Sequence, residues 1–129
     1  MAVEAYLTFT RRTGVANADL SAKQFYAVST VSGGKIGLAN AGKAIDGILQ
    51  DNPTANMAGT YAASGVTKAA IAANQTLTAG VTLLEVAAGG TLTPVAAGTA
   101  VAKALESLTS VAAVAIVSVE LLPSNAAFV

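Results

Sequence analysis

Cysteine, histidine and tryptophan are all missing from the chain. Without cysteine there is no disulfide, no thiolate nucleophile and no Cys-ligated zinc, and the redox compartment stays open. Without histidine, a serine nucleophile could draw only on lysine or a carboxylate for its base. No G-x-S-x-G elbow is present. Charge is also scarce: 11% of residues are charged, against about 25% in an ordinary soluble domain. Aromatic residues make up only 5%, which leaves few large anchors for a small ligand. The longest strongly apolar run, residues 111–119, is about half of the ~20 residues a membrane span needs, and reads as a core element. The opening Met1-Ala2-Val3-Glu4 lacks the basic segment and apolar run of a secretory signal, so none is expected.

What is there is small and apolar. Over 129 residues the hydrophobic fraction is 53%, supplied mainly by Ala, Val, Leu and Ile, and a chain of this size can bury roughly two-thirds of its unfolded surface. Seven basic residues balance seven acidic ones. A net charge of zero favours association over repulsion, so much of the bland surface is expected to be covered by copies of the chain or by a partner. Neither nucleic acid nor an anionic membrane is an expected partner.

Val3, Ala5, Leu7 and Phe9 alternate with Glu4, Tyr6, Thr8 and Thr10, the period-two pattern of a strand with one buried face. A second β-type run over residues 24–31 stops at Ser32-Gly33-Gly34 and continues as a hairpin through 36–38. The element over 43–50 ends at Asp51-Asn52-Pro53. Residues 59–71 read as a strand pair or one long bent strand. Residues 81–86 and 91–95 flank Ala88-Gly89-Gly90 with hairpin spacing. In the last third, alanines favour helix while Val101, Val111, Val114, Ile116, Val117 and Val119 favour strand. The β-branched density resolves it as β, with a short helix over 101–108 as the alternative. Residues 11–17 and 124–129, of weak periodicity, are candidate arms or loops. The expected fold is all-β: a small single-domain sandwich or barrel with short hairpins, residues 1–17 an N-terminal strand or arm and 18–129 the β-domain.

Few constellations could carry chemistry. The stretch from Gly37 to Ala44 matches G-x-x-x-x-G-K but ends on Ala44, which cannot ligate magnesium as Ser or Thr would. It is read as a Gly-rich turn. Asp46 with Asp51, and Glu85 with Glu106, are the carboxylate pairs worth testing for acid–base work. Asp51 is better explained by its turn. Arg11-Arg12 is the one adjacent basic pair and could meet an acidic partner surface. Tyr6, Phe9, Phe25 and Tyr26 read as core rather than as a base-stacking platform. Asn74-Gln75-Thr76 has the form of a glycosylation sequon and reads as loop.

Several segments carry a family resemblance. They are the run from Ala44 to Pro53, Ser64-Gly65-Val66-Thr67-Lys68 and Leu77-Thr78-Ala79-Gly80. The Ala88-Gly89-Gly90 hairpin with Leu92-Thr93-Pro94, and Ala102-Lys103-Ala104-Leu105-Glu106 before a final apolar strand, complete the set. In order and spacing, over roughly two-thirds of the chain, residues 43–122 resemble the bacteriophage capsid decoration or cement proteins of the DUF2190 type. The resemblance implies an all-β, non-enzymatic virion protein. It would be made in the host cytoplasm and bound to the outer face of the head, with the major capsid protein as partner and a homotrimer as the assembled form. Low charge and small side chains independently suit broad self-complementary contacts repeated by symmetry. No cofactor, metal or small-molecule substrate is expected. A tail-tube, fibre or surface-layer subunit would share the same composition.

The clean alternation at the chain terminus, outside the family-like region, points to strand addition onto the capsid. The candidate contacts are Ala2, Val3, Glu4, Tyr6, Thr8, Thr10, Arg11 and Arg12.

Overall fold

The computed structural model describes residues 9–122. Among them are nine strands: β1 (Phe9–Val15), β2 (Ala27–Thr30), β3 (Ile36–Leu38), β4 (Gly47–Leu49), β5 (Ala58–Ile71), β6 (Leu83–Val86), β7 (Leu92–Pro94), β8 (Ala102–Ala104) and β9 (Ala115–Leu121). No α-helix forms among the described residues; Ser32–Gly34 is a single 3₁₀ turn. The β2–β3 and β6–β7 hairpins form antiparallel as their turn signals predict.

β5 organises the rest. Its fourteen residues include Thr60, Tyr61, Val66, Thr67 and Ile71, side chains that suit a pleated, half-buried surface. The strand is paired on both edges. Tyr61 lies between Arg12 of β1 and Leu49 of β4, Gly65 between Phe9 of β1 and Leu121 of β9, and Ile71 between Leu92 of β7 and Ala115 of β9. One edge therefore carries β1 and then β7, and the other β4 and then β9.

The C-terminal half of β5 closes a five-stranded barrel in the order β5-β7-β6-β8-β9 and back to β5, parallel only at β5–β7. Barrel diameter grows with strand number, and about eight strands are needed before large side chains fill the interior. Five leave little room, which accounts for the buried Ala62, Ala69, Ala102 and Ala104 among Ile71, Leu84, Leu92 and Val119. Thr67 is fully buried, but its hydroxyl accepts from Gln50 Nε2 at 2.8 Å and donates to the Lys68 carbonyl at 3.1 Å. A buried hydroxyl with both roles satisfied carries no desolvation penalty beyond its bonds.

The N-terminal half of β5 closes a second, smaller circuit. It runs from β5 to β1, across the parallel bridge Ala16–Ile36 to β3, then through β2 and β4 back to β5. Ala16, Leu20, Val28, Ile36, Leu49 and Tyr61 fill it. Ala27, Ile48 and Ala62, facing the other way from the same strands, join the barrel core. The β2–β4 layer thus has apolar residues on both faces, which is why Gly47-Ile48-Leu49 is buried throughout rather than alternating.

Three expectations change. Residues 11–15, read as arm or loop, are strand, because β5 offers them a full-length partner. Residues 101–108 are not the alternative helix: β8 pairs with β6 and β9, and Leu108 bridges Leu77. Cross-strand pairing overrides the helical preference of alanine there. The run over 111–119 is only partly core. Val111, Val114 and Ile116 are exposed, while Val117 and Val119 are buried, because the strand begins only at Ala115 and then shows one face to solvent. The expected strand over residues 3–10 lies outside the described residues except for Phe9 and Thr10, which open β1, and residues 124–129 lie outside altogether.

Gly47 is set by close approach. A Cβ there would lie 2.1 Å from the Ala62 carbonyl oxygen and 2.6 Å from Tyr61 Cδ2, both at the junction of the two circuits. Gly47→Ala is expected to lower stability by about 2 kcal/mol or more, as overpacking against backbone does. Denaturant midpoints of the variant and the parent protein measure it.

Candidate attachment surface

Of the predicted contacts, Ala2, Val3, Glu4, Tyr6 and Thr8 lie outside the described residues. Thr10, Arg11 and Arg12 fall on β1, opposite Ser64, Ala62 and Tyr61 of β5, and all three are exposed. Ala63 is passed over in this register, a bulge that lets the long strand bend between its two circuits. The Arg11 guanidinium sits over the Phe9 ring at 5.4 Å, so these two side chains share a face of β1 and Arg12 occupies the other.

The carboxylates raised as acid–base pairs act instead as anchors for loops. Asp46 accepts hydrogen bonds from the Thr30 backbone N–H and, at 2.6 Å, from its hydroxyl. Asp51 accepts from the Thr60 N–H. Glu85 accepts from the N–H groups of Gly98 at 2.6 Å and Ala96 at 3.3 Å. Glu106 accepts from the Ser118 N–H at 3.0 Å. The members of each pair thus hold different segments. Asp19 accepts from Ser21, and that residue's hydroxyl, then its backbone N–H, lower the carboxyl's pKa. Glu120 faces Lys103 across β8–β9 at 3.7 Å. Every acidic side chain among the described residues is therefore engaged.

The cations differ. Lys35 donates to Asn56 Oδ1, and Lys23 stands over the Tyr26 ring at 4.9 Å. Among the described residues, Arg12, Lys43 and Lys68 have no charged, hydrogen-bonded or aromatic partner. Among the described residues of a formally neutral chain, the charged side chains without a partner are thus positive.

The Gly37–Ala44 stretch contains β3 and a turn, with no helix behind it to hold a phosphate. Gly42 instead meets the loop that Glu85 anchors. The Thr99 N–H donates to the Gly42 carbonyl at 3.0 Å, and a Cβ on Gly98 would lie 2.6 Å from Gly42 Cα. This contact ties the barrel to the smaller circuit. Asn74 of the sequon lies in a turn, as its reading predicts. Phe9 and Phe25 pack partly buried against the barrel core. No group of three or more metal-ligating side chains occurs among the described residues.

Three features were missed by pattern alone. Leu83 and Val95, joined by a 2.9 Å hydrogen bond from the Val95 N–H to the Leu83 carbonyl, form an exposed apolar group with Val81, itself 70% exposed. A second group comprises Val111, Val114 and Ile116. A shallow hollow of about 280 Å³ lined by Asp51, Asn52, Pro53, Thr54, Met57 and Ala58 is wide open to solvent. None of these has a sequence signature apart from that of a buried strand or an ordinary turn.

No family model matches the chain, and no curated protein matches it. Among solved structures, it is similar to the N-terminal base of the head fibre protein gp8.5 of bacteriophage phi29, with a TM-score of 0.65 at 13% sequence identity. The alignment covers 89% of this chain and 95% of that one. The likeness is one of fold, extending over both circuits.

Removing the Glu85 anchor should free the loop over residues 94–100. Glu85→Ala is expected to speed amide hydrogen exchange at Gly98 by about tenfold or more, as loss of charge-assisted bonds allows, while Glu106→Ala should leave Gly98 unchanged. NMR-detected exchange reads both.

Proposed function

We propose that the chain is a structural protein of a phage head, bound to the outer surface of the capsid and stabilising it as a decoration or cement protein. The observation that carries this reading is the fold shared, nearly end to end, with the base of a phage head fibre. The engagement of the carboxylates in loop anchoring agrees with a role in which the surface binds rather than reacts. The fibre comparison also favours a second reading, in which the chain serves as the base of a head fibre. Electron microscopy of the particle separates the two by whether a projection rises from the shell.

In this reading, residues 2–8, which precede β1 in the chain, add as a strand to an edge of the major capsid protein, with Thr10, Arg11 and Arg12 at the root of the arm. The protein acts as a homotrimer, for which the exposed Val81, Leu83 and Val95 group supplies an apolar contact. Attachment then gains from three arms acting together rather than from one strong site.

Deletion of residues 2–8 leaves β1 whole and is expected to abolish co-sedimentation with heads that lack the protein; binding equal to that of the full chain rejects the arm. Leu83→Glu combined with Val95→Glu should convert a trimer to a monomer in light scattering, with the far-ultraviolet spectrum unchanged.

A further inference from the structure

β1 is bonded on one side only. All seven of its residues pair with β5. On the other side, among the described residues, the first backbone bridge is Ala16–Ile36, just past the strand's end, where Ile36 also packs against Gly14. Thr10 to Thr13 and Val15 are exposed, and no second described strand pairs with this edge along β1. A row of outward N–H and C=O groups over about 20 Å, at ~3.3 Å per residue, is a template for another strand.

Charge decides which strand fits. A second copy pairing antiparallel over the full length of β1 would set Arg12, the central residue, against its own counterpart, with Arg11 beside it. Like charges placed directly opposite destabilise a sheet. An acidic strand meets the opposite situation. It would find Arg11 on one face and Arg12 on the other, and Arg12 has no competing partner among the described residues. The molecule's own described carboxylates are held elsewhere.

We propose that the outer edge of β1 is a docking edge that takes an acidic extended segment of a protein partner as an added strand, Arg11 and Arg12 meeting carboxylates on the two faces of the sheet. Main-chain bonds supply the affinity, and the arginine pair selects the sequence and excludes self-pairing. The inference does not depend on attachment to a phage head, and its test uses no heads.

The probe is the end-blocked peptide Thr-Val-Glu-Glu-Thr-Val-Thr, with its lysine-for-glutamate counterpart as control, titrated into the full chain while backbone amide exchange is followed by NMR. The acidic peptide should slow exchange at alternate amides within residues 9–15, and the lysine peptide should not. Arg11→Glu with Arg12→Glu should weaken the acidic peptide about tenfold, the sum of two exposed ion pairs. Arg12→Gln, which keeps most of the stem, should weaken it about threefold. Protection by both peptides alike, protection confined to other strands, or none at saturating acidic peptide overturns the proposal.

Discussion

Two closed circuits of hydrogen bonds share one strand, and every other element takes its place from that. β5 spans roughly 45 Å at ~3.3 Å per residue, more than either small ring needs. Its first half is a stave of the β1–β3–β2–β4 circuit and its second half a stave of the barrel. Closure leaves few free edges, and it explains how strands of three or four residues persist in this fold. A three-residue hairpin arm would be marginal alone. Here β3, β4, β7 and β8 are each held by neighbours in a ring. The bulge at Ala63 and the tight contact at Gly47 lie where the two circuits meet.

A narrow ring limits side-chain size, and this constraint links the composition to the core. Alanine lines much of the barrel, while the larger buried residues, Ile48, Leu49, Ile71, Leu84 and Leu92, sit at the junction and along the wall. Each such side chain contributes roughly 1.5–3 kcal/mol by leaving water. Few charges remain, and most of the described acidic side chains accept from backbone N–H groups, tying loops to strands. Asp46 holds the end of β2, Asp51 the start of β5, Glu106 the middle of β9, and Glu85 the loop after β7. With the described carboxylates turned to this work, the charged side chains left without a partner among the described residues are cationic.

That imbalance bears on attachment. Under the proposed reading, the arm, the apolar groups around Leu83 and Ile116, and the arginines of β1 are separate means of contact, each weak for one copy. Symmetry on a shell would multiply them. The two proposed strand additions, at the arm and at the β1 edge, would use the same main-chain chemistry in two directions, one given and one received, with charge opposing self-pairing of the receiving edge.

Much was legible from pattern. The β-branched density toward the end of the chain, the turns at Ser32-Gly33-Gly34 and Ala88-Gly89-Gly90, and the long β-type run ending at Ile71 together specified an all-β fold of short hairpins. Arg11 and Arg12 stand out in the sequence as the one adjacent basic pair. Other features were not legible. Val111 and Val117 look alike in sequence, yet one is exposed and the other buried. Glu85 gave no sign that it grips Gly98, thirteen residues away. Period two tells which residues share a face of a strand, and turn chemistry tells where strands reverse, because both are local properties of the chain. Which strand lies at either edge is set by pairing across long sequence separations. Only the tertiary structure could therefore decide that β5 joins two rings, and that β1 keeps one edge unpaired among the described residues.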